Sequence, residues 1–336
     1  MRSVIPRTLL FLALLGLCAS CTNVPKTPPE NVVKLTTLPD RVRIEIGDRL
    51  FSEYIFKGAK RPYFYPVLAA DGTSLTRDFP MKETPGEDRD HPHHRALWFA
   101  HSSVNGIDFW NEGNAGGKTP KGSIVHDALL ETKSGAVAVI RARNRWLSPE
   151  GKLICTDEST IRIRQTANGP ALDYEVTLQA PADAPVHIGD NKDGLVAMRV
   201  PQWMTLPHKI QGKDIPGHGH IVTSTGQRDA DAWGKRAAWC DYYSELNGKT
   251  YGVAIFDHPQ NLRHPSWWMA RDYGLFGANP FGQHHYENLK DRPNAGDYDL
   301  AAGESLTLRY RFLFHLGDEK AANVGVHYAE FASELR

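Results

Sequence analysis

Residues 91–101 concentrate the side chains of this sequence that are best able to do chemistry. The stretch holds four of the fifteen histidines, which are His91, His93, His94 and His101. Asp88 and Asp90 come just before the first histidine, Arg95 lies among them, and several aromatic residues follow. Imidazole, guanidinium and carboxylate groups are costly to bury unless each one has a partner. We therefore predict that this stretch lines a pocket.

Acid–base catalysis is one kind of chemistry that these residues can support. A histidine that works near its unperturbed pKa is the natural proton carrier at neutral pH. The catalytic groups that we predict are His93, His94 and His101, with Asp108 or Glu287 as the carboxylate opposite them.

Metal binding is the other kind of chemistry that the stretch can support. His91, His93 and Asp90 are the ligands that we would expect for a divalent transition metal ion. A mononuclear site needs about three protein ligands, with an open position for catalysis. The spacing leaves a metal site and a metal-free pocket both open, and we expect no other cofactor.

A second polar and aromatic segment covers residues 264–287. It is too rich in glycine and proline for a helix, and exposed aromatic rings are surfaces on which sugars stack. The alternative is a buried aromatic loop that closes one end of the fold. The residues that we expect to contact a substrate are His91, Arg95, Trp110, Trp267, Trp268, Arg271, Asn279, His284 and His285.

We predict that the two segments share one cleft, in which the four histidines of residues 91–101 face His284 or His285. Partly solvated pocket histidines contribute little to stability. His93→Ala and His94→Ala should then abolish ligand binding at a small cost in stability.

The elements that must position these residues are mostly strands. Polar and apolar residues alternate over residues 41–46, 136–146, 153–165, 171–178 and 305–315, and an Asn-Gly turn at residues 168–169 follows the third of these runs. Alternation with short turns predicts antiparallel strands with one wet face. Only the C-terminus has helical spacing, with Asp318 as its expected cap. We predict an all-β fold, a large antiparallel β-sandwich with a short C-terminal helix, as a single domain over residues 40–336.

The N-terminus has the features of a secretion leader. Arg2 and Arg7 precede an apolar run at residues 9–17, and the small residues before Cys21 resemble a bacterial lipobox. We predict a lipoprotein signal peptide at residues 1–20, lipidation of Cys21, and a flexible tether at residues 21–39. An ordinary signal peptide cut nearby is the alternative. The expected location is the cell envelope, at the outer membrane, with membrane contact through the lipid anchor alone.

Charge and motifs exclude several classes of protein. The 39 basic residues are balanced by 39 acidic ones, whereas a nucleic-acid-binding surface needs a basic excess. The sequence has no G-x-S-x-G nucleophile motif, no Walker loop and no dinucleotide fingerprint. Cys155 and Cys240 can form a disulfide or remain buried thiols, and the oligomeric state is not predicted.

The chain resembles a family of secreted bacterial proteins known as "methane oxygenase PmoA". The resemblance rests on residues 90–95, 97–101, 104–106 and 108–110, and it extends over most of residues 41–317. The family has glycine where this chain has Ala96, and Gly-Asp where it has Ser102 and Ser103. The resemblance implies a role in carbohydrate use. The all-β layout is also similar to the galactose-mutarotase supersandwich, in which a histidine and a glutamate act as acid and base.

Together these features predict a cell-envelope protein that acts on or binds a carbohydrate in a cleft lined by His, Arg and Trp. If it is an enzyme, it is of the epimerase, lyase or hydrolase type. The alternatives are a metal-dependent oxygenase or hydrolase that uses the same histidines as ligands, and a non-catalytic surface lectin. The expected partner is a carbohydrate ligand, and no nucleic acid.

Overall fold

Two eight-stranded antiparallel sheets form the core of the fold. The computed structural model describes Met1 and residues 31–113, 117–210 and 212–334. The first sheet has the spatial order β1 (Val33–Thr37), β2 (Arg41–Ile46), β3 (Arg49–Ile55), β4 (Tyr63–Val67), β5 (Leu97–His101), β11 (Gly194–Arg199), β18 (Leu275–Asn279) and β17 (Trp267–Trp268). The second sheet has the order β14 (His220–Thr223), β15 (Trp239–Leu246), β16 (Lys249–Asp257), β20 (Ser305–Leu316), β9 (Gly169–Gln179), β8 (Leu153–Thr166), β7 (Val137–Leu147) and β6 (Ser123–Lys133).

The remaining elements are short. Two small two-stranded sheets pair β10 (Val186–Ile188) with β19 (Tyr298–Leu300), and β12 (His208–Ile210) with β13 (Lys213–Ile215). Gln202–Met204 and Asp229–Ala232 form single 3₁₀ turns, and the α-helices are α1 (Gln283–Tyr286) and α2 (Val324–Ser333). The predicted all-β sandwich with a short C-terminal helix is confirmed.

The strand pattern follows from the alternation in the sequence. Along β7, Ile140 and Ala142 are fully buried, whereas Arg141 and Arg143 between them keep part of their side chains in solvent. One face of the strand therefore joins the core and the other stays wet. The Asn247–Gly248 turn between β15 and β16 has φ of +52° and +76°. Positive φ at both positions is what a tight hairpin turn requires, and Asn-Gly adopts it most easily.

Aromatic contacts join the inner faces of the two sheets. The pairs are Phe51 with Phe314 at 5.5 Å between ring centroids, Phe64 with Tyr174 at 5.9 Å, and Phe99 with Trp146 at 6.3 Å. Burial of such large rings supplies much of the driving force for folding. Because Phe99 faces the second sheet, its neighbour Trp98 lies on the opposite, outer face of β5.

Helix α2 covers part of the outer face of the second sheet. Val324 and Phe331 pack with Phe256 and Leu313 in a small second core. The helix begins at Val324 after Asn323, and Asp318 instead accepts hydrogen bonds from backbone N–H groups of the preceding turn. The prediction that Asp318 caps the helix is therefore wrong, because the chain makes one further turn first.

The predicted domain boundary at residue 40 is too late. β1 (Val33–Thr37) lies within the range predicted as tether and pairs with β2 along its whole length. The proline-rich residues just before β1 made this part of the sequence look like a tether, although residues 33–37 mix polar and apolar side chains. Cys21 and the predicted leader, apart from Met1, lie outside the described residues.

Two other sequence questions are answered within the described residues. Cys155 and Cys240 are buried free thiols, so they do not pair. None of the helices described is both long enough and apolar enough for a membrane span.

Candidate functional site

Four rings form a stack on the outer face of the first sheet, which we call the ring column. Its members are Trp98, His94, His91 and Tyr273, with successive centroids 5.3, 4.6 and 5.3 Å apart and near-parallel planes. His93 packs edge-on against His94 at 4.5 Å. The column starts on a buried strand and reaches solvent at His91, whose side chain is 41% exposed.

A tight turn, and not a strand, places these histidines. The His94 N–H donates to the His91 carbonyl oxygen at 3.0 Å, and His91 has a φ of +42°. Alternation along an extended chain would have put His91 and His93 on one face and His94 on the other. The turn instead brings all three rings into contact.

Ala96 adopts the left-handed backbone conformation that leads from this turn into β5. Its φ is +55°, and its carbonyl oxygen accepts the Arg199 N–H at 2.7 Å. A residue without a Cβ adopts this conformation at lower cost. This requirement gives a physical reason for the glycine that the sequence resemblance expects at this position.

Asp90 is the carboxylate that organises the cluster. Its Oδ1 accepts hydrogen bonds from Arg77 and from Arg199, the latter at 2.8 Å, and its Oδ2 lies 2.6 Å from His91 Nδ1. Burial raises the pKa of Asp90, but the His91 hydrogen bond and the arginine charges outweigh that effect and lower it. Arg199 also donates to His94 Nδ1 at 3.1 Å. Since a guanidinium can only donate, the proton of a neutral His94 is on Nε2.

The two inner histidines are neutral at pH 7. Burial lowers the pKa of His93 to about 3, and the charge on Arg61 acts in the same direction. Burial and the charge on Arg199 hold the pKa of His94 well below its ordinary value. With 3% and 2% exposure, neither residue is partly solvated as predicted. Truncation of His94 is now expected to cost about 1–3 kcal/mol, because it leaves the buried Arg199 without one of its acceptors.

Several buried polar atoms at the column have no hydrogen-bond partner among the described residues. They are His93 Nδ1, Trp98 Nε1, Arg61 Nε and Arg199 Nε. Most buried polar atoms in proteins are paired, so each unpaired one is a candidate position for a contact with a bound water or ligand.

A second ion pair borders the column. Arg95 Nε and Nη2 each lie 3.1 Å from an oxygen of Glu112, in a bidentate arrangement. Arg61 approaches Glu112 at 3.6 Å and ties the two surrounding loops together, because it donates to the carbonyl oxygens of Phe109 and His93 at 2.9 and 2.5 Å. The predicted residue Arg95 thus lies beside the cluster, one-fifth exposed.

His101 lies apart from the other three histidines. It lies three positions after Trp98 on β5. Because successive side chains point to opposite faces of a strand, its ring is on the inner face of the sheet. Its Nε2 donates to the Gly189 carbonyl oxygen at 2.8 Å, and burial lowers its pKa to about 4. The structure therefore does not bring His101 into the predicted group.

Asp108 does not match the predicted role of a catalytic carboxylate. Its Oδ1 accepts the N–H groups of Trp110 and Asn111 at 2.9 Å each, and its Oδ2 accepts the Asn111 side-chain amide. With Lys121 at 3.4 Å, all its acceptor positions are used inside the protein. Asp108 holds the turn that places Trp110 against Trp98, at 5.0 Å between ring centroids.

Three predicted substrate contacts in residues 264–287 are buried. Trp268 is fully buried and donates to the Ala237 carbonyl oxygen at 2.8 Å. Trp267 is 2% exposed and donates to Glu287, and Asn279 is fully buried with its amide bonded to a loop carbonyl. They belong to the edge strand β17 and its neighbour β18, so their rings and amide are not open to a ligand. The alternative of a buried aromatic segment describes them better.

His284 and His285 do not contact the ring column. The His284 N–H donates to Asp190, and its Nδ1 donates to the Leu289 carbonyl oxygen at 2.7 Å. His285 is exposed beside it, with ring centroids 4.8 Å apart. Glu287 is also exposed, and it accepts hydrogen bonds from Trp267 and Gln283.

Asp193 affects the pKa of one group in the ring column and of one group in the segment that contains His284 and His285. Burial raises the pKa of Tyr273, and the charge on Asp193 adds to this shift. Burial lowers the pKa of His285, and Asp193 acts against it. Asp193 is one-quarter exposed and paired with Lys192 at 2.7 Å. Its backbone oxygen accepts the Ser102 N–H, next to the place where the sequence resemblance expects an aspartate.

Sequence reasoning missed most of the groups that hold the histidines. Arg199 left a detectable signal, since it is the only charged residue in the apolar run at residues 195–200. Arg77, Glu112, Asp193 and Tyr273 left none, because they lie in loops and become partners only in the folded chain.

Two of the three predicted metal ligands are engaged with other groups of the protein. Asp90 is engaged by Arg77 and Arg199, and His91 Nδ1 bonds to the same carboxylate. Two guanidinium groups beside the carboxylate repel a cation. No group of three or more His, Cys, Asp or Glu side chains suited to a metal ion occurs within the described residues.

A cavity of about 480 Å³ lies elsewhere, at the β2–β3 and β8–β9 turns. Its lining includes Arg49, Phe51, Leu68, Gln165 and Pro170, and none of the predicted site residues. It contains no histidine and no cluster of coupled charges. We therefore place the site at the ring column, where neutral histidines and unpaired buried polar atoms coincide.

The fold defines a β-sandwich protein, and the histidine–arginine cluster on the outer face of one sheet is its candidate site. The chain belongs to the family of unknown function DUF6807, whose profile matches residues 41–329. The comparisons give no support to the PmoA label, which stays a prediction. No curated protein sequence matches the chain.

Several solved structures are similar to the chain at low sequence identity. An α-galactosidase from Lactobacillus brevis is 8% identical with a TM-score of 0.37, and the match covers 85% of this chain and 39% of that one. A galactose mutarotase-like protein from Clostridium acetobutylicum is 11% identical with a TM-score of 0.35, over 85% and 99% of the two chains. A putative aldose 1-epimerase from Escherichia coli K12 is 10% identical with a TM-score of 0.33, also over 85% and 99%. The chain spans less than two-fifths of the first of these.

Proposed function

We propose that this protein binds and chemically transforms a carbohydrate at the exposed end of the ring column. In this proposal His91 is the proton carrier, Asp90 orients it, and Arg95, Glu112 and Asp193 bind hydroxyl groups. The residues that carried the predicted catalysis, His93 and His94, are positioning residues that hold the column.

The Asp90–His91 pair is the observation that supports this function. A carboxylate bonded to one imidazole nitrogen fixes the orientation of the ring and leaves the other nitrogen free to exchange a proton with a substrate. His91 Nδ1 is held at 2.6 Å by Asp90, while 41% of the His91 side chain is exposed. His94 and Tyr273 hold the two faces of the ring, so the exposed edge stays in one place.

Two partly exposed ion pairs in the loops that border the first sheet favour a ligand rich in hydroxyl groups. Arg95 and Glu112 form a pair with both side chains partly exposed, and so do Lys192 and Asp193. Each pair offers donors next to acceptors, which is the pattern that a hydroxyl group needs, since it both donates and accepts.

His91→Ala is expected to abolish binding and turnover of carbohydrate with little change in melting temperature, because the side chain is partly exposed. The measurements are calorimetric titration with a panel of sugars, and NMR detection of anomer interconversion, elimination products and released reducing ends. Metal analysis of the untreated protein belongs to the same experiment, since near one equivalent of zinc, copper or iron would favour the metal-dependent alternative.

His220→Ala is the matched control for this variant. His220 is also exposed, packs on a tyrosine ring at 5.3 Å and lies 3.9 Å from an aspartate, but on the second sheet. It should bind and turn over sugars like the unmodified protein. Binding without turnover would reduce the protein to a lectin, and unchanged activity in His91→Ala would refute the role of His91.

We also propose that the mature protein begins at a lipidated Cys21, at the outer membrane. The small residues Ala19 and Ser20 before the cysteine are the motivation, because signal peptidases cut after small residues. Mass spectrometry of the N-terminal peptide from native membranes should show a diacyl- or triacyl-modified Cys21. An unmodified N-terminus at another residue would rule out this anchor.

A further inference from the structure

We infer that the carbohydrate bound at the ring column carries an anionic group, such as the carboxylate of an acidic sugar. The inference rests on the proposed function and names the substrate class for the same site. It comes from a shortage of carboxylates among the arginines of the cluster.

Four arginines at the cluster share two carboxylates in direct ion pairs. They are Arg61, Arg77, Arg95 and Arg199, with side chains 0%, 1%, 20% and 1% exposed. Asp90 serves two of them and Glu112 serves the other two. Buried guanidinium groups keep their charge, so the positive potential is only partly neutralised from within.

Other nearby carboxylates do not change this balance much. Burial lowers the pKa of Arg77 to about 10, against the charges of Asp90 and Glu87. Both oxygens of Glu87 accept backbone N–H groups of Asp78 and Phe79, which places its charge behind that loop. Burial likewise lowers the pKa of Arg61 to about 10, and the charge on Arg95 acts in the same direction against Glu112 and Asp108.

A fifth arginine is open to a ligand. Arg271 stacks on Trp233, with its guanidinium carbon 3.3 Å from the ring centroid. Among the described residues it has no hydrogen bond or ion pair from its side chain. It is partly exposed and lies two positions before Tyr273, whose ring stacks on His91 at 5.3 Å at the end of the column.

The local backbone keeps Arg271 in this place. Its N–H donates to the Leu275 carbonyl oxygen at 2.7 Å, and its carbonyl oxygen accepts the Gly274 N–H at 3.1 Å, which closes a four-residue turn. Gly274 has a φ of +91°, and a Cβ there would meet Val200 at 2.9 Å, so only glycine fits. A guanidinium fixed by stacking loses little side-chain entropy when it binds an anion.

A planar guanidinium binds carboxylate, sulfate and phosphate groups through paired charge-assisted hydrogen bonds. An anion beside the column would therefore pair with Arg271, while the buried Arg77 and Arg199 add positive potential without contacting it. A neutral sugar would leave Arg271 without a partner. The shared chemistry is thus an anionic substituent on a sugar.

The test is calorimetric titration of the full chain with matched sugars. The probes are glucuronate and galacturonate, the neutral glucose and galactose, the 6-sulfates and 6-phosphates of both, and acetate and inorganic phosphate as anions without a sugar. Each titration is run at low and high salt. We expect at least one anionic sugar to bind tighter than its neutral parent by roughly 10- to 100-fold, with weaker binding at high salt.

Arg271→Gln should remove this preference, so that an anionic sugar binds no tighter than its neutral parent. The matched control is Arg236→Gln, since Arg236 also stacks on a tryptophan, at 4.7 Å over Trp267, but bonds to backbone carbonyls outside the cluster. Equal affinity for anionic and neutral sugars, or a preference unchanged in Arg271→Gln, overturns the inference and leaves the proposed function intact. Binding of the free anions alone also overturns it. If no sugar of either kind binds, the proposed function fails.

Discussion

Replacement of Asp90 with alanine is expected to lower the free energy of unfolding by about 3–5 kcal/mol, because it breaks a buried ion pair from one side. Arg77 and Arg199, each with a side chain 1% exposed, would lose the carboxylate that they share. His91 would lose its Nδ1 partner as well. Urea unfolding at pH 7, monitored by tryptophan fluorescence, measures the loss.

Asp299→Ala is the control for this change, since Asp299 also pairs with a histidine but its side chain is 77% exposed. Little change is expected there, because exposed ion pairs contribute little. The double variant Asp90→Ala with Arg199→Met should lose less than the sum of the two single variants, since it removes one of the unpaired charges. A loss below about 1 kcal/mol for Asp90→Ala would contradict the central role of this carboxylate.

Acidification from pH 7 to pH 4 is expected to destabilise the folded chain strongly. Burial lowers the pKa of His93 to about 3 and of His101 to about 4, and it lowers that of His94 as well. Histidines in the unfolded chain titrate near about 6.5. Below that pH the unfolded chain binds protons that the folded chain does not. Each histidine then removes up to about 1.4 kcal/mol of stability per pH unit, until the pH reaches its folded-state pKa.

One buried histidine acts in the opposite direction. Burial lowers the pKa of His315, but the charge and hydrogen bond of Asp241 at 3.0 Å outweigh burial and raise it. Its contribution to stability is present below the unfolded pKa and is lost as pH rises through the folded value. A single group of this kind offsets only part of the effect of the three others.

Urea unfolding at several pH values between 7 and 4.5 tests this expectation. His101→Gln retains a side-chain amide that can donate to Gly189, and it should reduce the slope of stability against pH by about 1.4 kcal/mol per unit. The exposed His220→Gln is the control and should leave the slope nearly unchanged. Identical slopes in the unmodified protein and in His101→Gln would show that His101 is not held neutral.

Most strands of the second sheet were predicted from the sequence, whereas β2 is the clearest such case in the first sheet. β7 and most of β8 alternate between buried and partly exposed residues because one face is wet, and the predicted strands β7, β8, β9 and β20 agree with the observed ones within a few residues. β18 (Leu275–Asn279) is buried along its whole length, so no alternation marks it, and glycine and proline around it suggested a loop. A short strand that is covered on both faces has no periodic signal.

The sequence indicated the histidine cluster that forms the candidate site, but it did not indicate which residues pair with these histidines. Residues 91–95 were recognisable because histidines, arginine and aspartate rarely occur together in a core. Their partners could not be predicted, since Asp90 and Arg199 are 109 residues apart in the chain and meet only through the order of strands in the first sheet. The predicted contact with His284 or His285 is absent for the same reason, because the paths of the loops decide which distant segments of the chain meet.

The position of β20 (Ser305–Leu316) in the second sheet has a consequence for how the chain must be made. It is the last strand in the sequence, yet it lies between β16 and β9 and joins the group β14–β16 to the group β6–β9. While the chain is still emerging from a ribosome or a translocation pore, these groups are two separate ribbons, each with an open edge. Open edges recruit strands from other chains. A chain that is truncated before residue 305 should therefore aggregate. Chaperones that shield nascent chains should matter most until β20 has been made and has closed the two open edges.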